Sequence, residues 1–396
     1  EALARAHGEV WADSLKALAD GRGTAESDAW LNLIWKENLW PRNPALAAAA
    51  RELETLTVPE PLYAVAMLDG TPENESIHIR GSHLKLGEEV PRRNLTALGG
   101  QPAPAGASGR LELARQLVSA DNPVVRRVAV NRVWHQLFER GIVPTVDDFG
   151  VMGQPPSHPE LLDWLAAEFS GEMGWSIKRL LRKIVLSRTY RMGSAPHPSV
   201  DRDRLAEIDP DNVLLHRSPV RRLQAEAIRD AILAVSGRIN PAVGGQSVPI
   251  HLTSFMEGRG RPGGNGPLDG DGRRSLYTEV RRNFLPPFLL TFDMPIPFNA
   301  MGRRSVSNVP AQALTLMNDP FVIEQARLWA ERVAADPART DEDKVTDLFR
   351  QAYSRPPTEA ERQQVASFLG SGTDPKQAWA DLCHALFNKK EFIYLN

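Results

Sequence analysis

DNPVVRRVAVNRVWHQLFERGIVPTVDDFGVMGQPPSHPELLDWLAAEF (Asp121–Phe169) carries two helix signals separated by a polar turn. Asp121-Asn122-Pro123 supplies a side-chain cap and an early proline, which together start a helix. Val130, Val133, Trp134, Leu137 and Phe138 follow at i, i+3, i+4, i+7 and i+8, the buried stripe of an amphipathic helix running to Glu139. Beside that stripe Arg127, Asn131 and His135 recur at i, i+4 and i+8 on a polar face. Ser157-His158-Pro159-Glu160 reads as a capping box, with Glu160 reaching back to the Ser157 amide, and opens a helix over Leu161–Phe169. Ile177, Leu180, Leu181, Ile184 and Val185 repeat the helical spacing within Trp175–Met192.

Helices dominate the rest of the C-terminal part. Ser218-Pro219 is expected to open one through Val235, with Gly237 placed for a left-handed cap. Residues 257–272 are a glycine-rich loop, and 274–282 is open between a strand and a helix start. Helices are then expected over Pro310–Met317, Pro320–Ala335, Asp341–Tyr353, Thr358–Leu369 and Pro375–Phe387, with Thr358 and Glu361 as a second capping box and Asn308 as a cap. Toward the N-terminus a short helix covers Leu111–Val118, and residues 99–109 (GGQPAPAGASG) have linker composition. Leu62–Leu68 and the alternating Ile77 and Ile79 read as strands, with Asp69-Gly70 as turn chemistry between them. Residues 1–56 read as helical. The fold class is therefore mainly α: a multi-helix globular core with a small β element near residues 62–90. The chain is expected to have three segments: 1–56 as the helical end of an upstream region, 57–109 as the β element and linker, and 110–396 as the mainly helical domain.

The 396 residues are 42% hydrophobic and 24% charged with a net charge of −2, an ordinary globular composition that argues against global disorder. The best apolar run, Phe284–Phe298, is broken by four prolines and Asp293, so no spanning helix is expected. The single cysteine, Cys383, excludes a disulfide framework, a thiolate zinc cluster and a Cys-x-x-Cys-His haem site within this chain. It lies in an apolar pattern with Trp379, Leu382 and Leu386 and is expected to be a buried small hydrophobe. The chain opens on Glu1 rather than Met and has no signal peptide, so it reads as a fragment or processed product.

Asn131–Phe169 resembles a known family, as do LGEEVPRR (Leu86–Arg93), DPDNVLLHRSPVRRLQAEAIRDAILAVSG (Asp209–Gly237), GRRSVSNVPAQALTLMNDPFVIEQA (Gly302–Ala326) and the closing ALFNKKEFIYLN. This is the planctomycete-type PSD C-terminal domain family, domain of unknown function 1553. It forms the C-terminal part of large exported proteins that often carry a cytochrome-c-like domain. The resemblance implies a periplasmic or cell-surface location, upstream domains of the same protein as partners, and haem c in an upstream domain, with no cofactor in this chain. It brings no settled activity. The family's genomes are rich in enzymes for sulfated and complex polysaccharides, which makes anionic polysaccharide the associated ligand class.

Arginine outnumbers lysine 38 to 9, and six Arg-Arg pairs occur. Guanidinium binds carboxylate, sulfate or phosphate bidentately, so Arg273, Arg274, Arg303 and Arg304, together with Arg127 and Asn131, are candidate anion-binding residues. The plain alternative is high arginine usage with ion pairs bracing helices. His135, Asp147, Asp148 and His158 are weak acid–base candidates; the alternative is that the aspartates serve turns and His158 a helix start. His78 and His83, with Asp69 near, are too weak a set to assign a metal. Asn308, Gln312 and Asn318 read as helix-terminal hydrogen bonders. Lys178, Arg179, Arg182, Lys183, Arg188 and Arg191 line one helix without an acidic residue, and a solvated face is expected there. These residues leave three functions open: binding or processing of anionic polysaccharide; a non-catalytic module docking upstream domains or a partner protein; and, last, a nucleic-acid binder.

Overall fold

The computed structural model describes residues 66–68, 70, 72–195, 199–298, 300–371 and 374–395. The chain divides into two units at Pro72/Glu73. The helical reading of residues 1–56 and the run Leu62–Val65 lie outside the described residues. The second unit, Glu73–Asn396, opens with an antiparallel hairpin, β1 (Glu75–His78) on β2 (Leu86–Val90), with Glu75 opposite Val90 and Ser76 opposite Glu89. The turn expected at Asp69-Gly70 involves Asp69, outside the described residues; the β1–β2 hairpin turns at Arg80-Gly81, where φ is 54° and 76°. Left-handed backbone at a hairpin end matches the twist of its strands, and here it lets β1 pair with the following LGEEV.

After this hairpin the described chain is helical, as the apolar spacing requires. α1 (Arg110–Leu117) leads to α2 (Pro123–Phe138), whose first amides, Val124 and Val125, donate to the Asn122 side chain at 3.0 and 3.4 Å. α3 (Pro159–Ser170) and α4 (Ile177–Val185) pack on α2 around Val130, Trp134, Phe138, Leu162, Leu165, Phe169, Leu180 and Ile184. This is the first lobe. The Ser157 capping box does not form: the Ser157 hydroxyl donates to the Ile142 carbonyl at 3.2 Å, tying the intervening loop to itself, and the α3 cap position has no side-chain bond. α4 stops at Val185, and residues 187–191 make turns instead of extending it.

A short helix α5 (Arg202–Ile208) precedes the second lobe. The helix expected from Ser218-Pro219 begins only at α6 (Ala225–Ser236), because Arg221–Arg222 is taken as strand β3. β3 pairs antiparallel with the chain's last strand β4 (Tyr394–Leu395), and Leu223 N–H donates to the Ile393 carbonyl at 2.7 Å. Gly237 does cap α6 in the left-handed region, at φ 79°. The 274–282 stretch holds a 3-10 turn, Ser275–Tyr277, and isolated bridges join residues 240 and 248 to Arg273 and Thr278.

α7 (Pro287–Thr291), α8 (Pro310–Asn318), α9 (Pro320–Ala334), α10 (Asp341–Tyr353), α11 (Glu359–Ser371), α12 (Pro375–Asn388) and α13 (Lys390–Ile393) complete the second lobe. Its core centres on Trp329, which is stacked on Phe387 with ring centroids 5.2 Å apart and donates its indole N–H to Gln351 at 3.1 Å. Phe349 and Phe387 are fully buried, each contributing about 2–3 kcal/mol of transfer free energy. The Thr358/Glu361 capping box forms: Glu361 N–H donates to the Thr358 hydroxyl, and the Thr358 amide donates back to the Glu361 carboxylate. Asn308 caps nothing; Val309 holds the α8 cap position without a side-chain bond. Cys383 is buried in this core, and burial pushes its thiol pKa up. No helix among the described residues is long and apolar enough to cross a membrane.

Candidate functional site

The two lobes meet along a cleft of about 760 Å³. The first lobe contributes His135, Gln136 and Glu139 from the end of α2, and Asp147 from the loop after it. The second contributes Arg222, Gln224, Phe292, Asp293 and the segment from Ala300 to Val306. The lobes are joined beside it by the arginine pair of β3. Arg221 donates to the Leu137 carbonyl at 2.9 Å, satisfying an end of α2, and Gln224 donates to the Gln136 side chain at 3.2 Å.

Arg222 forms the floor of the second lobe's side. It donates to the Ser307 carbonyl (2.8 Å), the Phe292 carbonyl (3.1 Å) and Asp293 Oδ2 (2.7 Å). Asp293 also accepts from the Ser307 amide and hydroxyl, both at 2.8 Å. Burial alone would raise the Asp293 pKa; the Ser307 and Arg222 bonds outweigh it and hold the carboxyl below its ordinary range. Gln312 Nε2 closes the knot on the Ser307 carbonyl and hydroxyl. This latch fixes the 293–307 segment that presents Arg303 and Arg304 to the cleft.

The pKa values of His135 and Glu139 are driven toward one another. Burial lowers the His135 pKa, as does the positive charge of Arg303, against weaker opposition from the Glu139 main chain and Asp147. His135 Nδ1 is buried without a protein hydrogen-bond partner. The imidazole is therefore neutral at neutral pH and able to accept a proton. Glu139 sits at the C-cap of α2 at φ 59°, and although much of the residue stays in solvent, burial of its carboxyl raises its pKa against the pull of Arg221 and Arg222. Asp147 is exposed, 3.9 Å from Arg132, and its carboxylate lies directly on the Gly302 backbone: a Cβ at Gly302 would collide with it. The two loops approach this closely because residue 302 has no side chain.

The structure thus brings together His135, Asp147, Arg303 and Arg304. Arg304 is engaged by Glu226 of α6 at 2.6 Å, whereas Arg303 is exposed and makes no ion pair with a described residue. The other candidates lie elsewhere. Arg127 pairs with Asp163 at 2.6 Å. Asn131 is fully buried and bonds both the amide and the carbonyl of Val143, at 2.9 and 3.0 Å. Asp148 accepts from the Gly150 amide in a turn, and His158 lies against the Ser157 hydroxyl. Arg273 donates to the Gly244 carbonyl and covers the Tyr277 ring, and Arg274 lies 3.5 Å from Asp230. His78 and His83 are exposed in the hairpin, and Asp69 lies outside the described residues. Among the described residues, no three His, Cys, Asp or Glu side chains are grouped to hold a metal ion.

Three cleft residues escape the reading of the sequence. Glu139 continues the Arg127–Asn131–His135 stripe at i+12, so its position was readable. Arg222 belongs to one of the counted arginine pairs. Asp293 had only one signal, a lone charge within the apolar run Phe284–Phe298.

Residues 109–369 match the family described as PSD1, protein of unknown function (DUF1553). The chain belongs to that family. The matched span begins where the Gly/Pro-rich stretch ends and includes both walls of the cleft, so the cleft is a feature of the DUF1553 region itself. No curated protein and no solved structure matches the chain significantly.

Proposed function

We propose that the DUF1553 region binds an acidic group of a polysaccharide in the interlobe cleft, with Arg303 as the cation that meets it. One observation carries this reading. Of the three arginines lining the cleft, Arg222 is held by Asp293 and Arg304 by Glu226, and Arg303 alone has no carboxylate partner among the described residues. A guanidinium left without a partner beside a neutral imidazole is suited to a sulfate or carboxylate. His135 and Glu139 both line the cleft, with pKa values displaced toward one another, and are the groups placed to take and give a proton at a bound sugar; this supports processing as the finer form of the reading. The module is proposed to work outside the cytoplasm, at the periplasm or cell surface, as part of a longer protein.

A docking function is the second reading. Val151 and Met152 are almost wholly exposed at the tip of the loop that also carries Asp147, and two adjacent apolar side chains in solvent favour a protein partner there. Binding of neutral, carboxylated and sulfated oligosaccharides to the purified chain separates the two. Cleft binding predicts affinity for the charged sugars that falls at least tenfold in Arg303→Ala; no affinity for any of them, or equal affinity in the variant, sinks it.

A further inference from the structure

The stretch Ile177–Met192 has six basic residues and no acidic one. Leu180 and Ile184 are buried in the first lobe, so α4 turns its basic residues outward. Of the six, Lys183 alone pairs with a carboxylate among the described residues, Glu168 of α3 at 2.5 Å. Arg179 donates to the Glu172 main chain at 3.2 Å and Arg191 to the Ser187 main chain at 3.4 Å, neither of which brings a carboxylate to the charge. Lys178, Arg179, Arg182, Arg188 and Arg191 are all exposed and make no ion pair with a described residue. This face is exposed to solvent as expected, and it carries five cations without an ion pair to a described residue on a chain of net charge −2. Beside them Trp164 of α3 is 48% exposed, with Lys183 Nζ 4.4 Å from its ring centroid.

We propose that this face of α4 and the turns after it, with Trp164, is a second binding surface that takes an extended sulfated polysaccharide. It rests on the cleft reading for its ligand class only, since the two surfaces share no residue. Four of the five free cations are arginines, whose planar fork matches sulfate. One indole beside a row of cations suits a sulfated pyranose, which offers a C–H face and anionic substituents together. An anionic bilayer is less well matched. The exposed aliphatics Ile177 and Leu186 stand at opposite ends of α4, roughly 13 Å apart by helical rise, and form no continuous apolar wedge. Single-stranded nucleic acid stacks on a series of aromatic faces, and one exposed indole beside this row of cations does not supply such a series.

The test uses dextran sulfate, neutral dextran, a monosulfated disaccharide, duplex DNA and phosphatidylglycerol vesicles against the full chain, Arg182→Glu/Arg188→Glu and Arg303→Ala. Neither the Arg182 nor the Arg188 side chain bonds a described residue, so the double variant is expected to stay folded, losing only a few degrees from the acid placed in the last turn of α4. Dextran sulfate binding should fall at least tenfold in it, and the salt dependence of log Kd should lose about two ion contacts. Its disaccharide binding should be unchanged, while Arg303→Ala should lose the disaccharide. Unaltered dextran sulfate binding in the double variant overturns the second surface and leaves the cleft standing. Tighter binding of DNA or vesicles than of dextran sulfate at equal ionic strength, lost in the same variant, overturns the ligand class. Disaccharide binding indifferent to Arg303 refutes the cleft alone.

Discussion

Arg222→Met tests whether the latch beneath the cleft holds the second lobe's wall. The Arg222 side chain is 2% exposed and Asp293 16%, so the ion pair is nearly dry. Methionine keeps an unbranched apolar stem but removes the cation over the Phe292 ring and three hydrogen bonds. Asp293 would keep only the Ser307 amide and hydroxyl, and the Phe292 carbonyl would lose its Arg222 donor. Removing one partner of a buried pair costs about 3–5 kcal/mol, because a charge is left without compensation. Since Ser307 still serves Asp293, the lower half of that range, about 3–4 kcal/mol, is expected. Denaturant and thermal unfolding measure it. Arg222→Met/Asp293→Leu should recover part of the loss, since it leaves no unpaired charge. Acid unfolding gives an independent reading. The folded pKa of Asp293 lies below its ordinary 3.8, so its contribution is present above that pH and is lost as pH falls through the lower folded value. That acid-dependent loss should shrink in Arg222→Met. A single variant costing under about 1 kcal/mol, or a double variant no more stable than the single, would refute the latch.

Asn131→Ala should cost about 2–3 kcal/mol by leaving the buried Val143 amide and carbonyl without partners, with Asn131→Asp worse at neutral pH because its carboxylate faces that carbonyl; unfolding curves decide. Arg355 bonds both Glu361 and Glu391, and its hydrogen bonds, with those from Lys389 and Thr358, hold the Glu361 pKa well below the ordinary range against burial. The stability from this network is present above the ordinary carboxyl value of 4.5 and lost as pH falls toward the folded one; Arg355→Ala should flatten that acid dependence, costing about 1 kcal/mol at pH 7 given its partial exposure. Cys383 should resist thiol reagents in the native protein and react only with unfolding of the second lobe, and rapid labelling without denaturant would contradict its burial.

What was legible in the sequence was local. Asn122-Pro123, the apolar spacing of α2 and Gly237 act within a turn or two of themselves, and all appear as read. Arg221–Arg222 shows the limit. As part of a Ser-Pro-opened segment it reads as helix, yet it is drawn into a strand by Tyr394–Leu395, more than 170 residues away. The site divides in the same way. His135 and Asp147 reach the cleft because the loop after α2 folds back, but Asp148, one residue on, is used by its own turn. Asn131 shares a helical face with His135, and one turn decides its fate: its carboxamide meets the Val143 main chain, while His135 clears that loop. Among arginines of equal sequence standing, the presence of a carboxylate across the fold decided which stayed available.

The imidazole of His135 reports on the cleft most directly. Its pKa, followed by NMR titration of the ring with and without a sulfated disaccharide, should rise on binding, because the sulfate offsets the Arg303 charge that helps hold it below 6.5. In Arg303→Ala the free-protein value should already be higher and the ligand-induced rise should vanish. An identical His135 titration with and without the saturating sugar would contradict anion capture in the cleft.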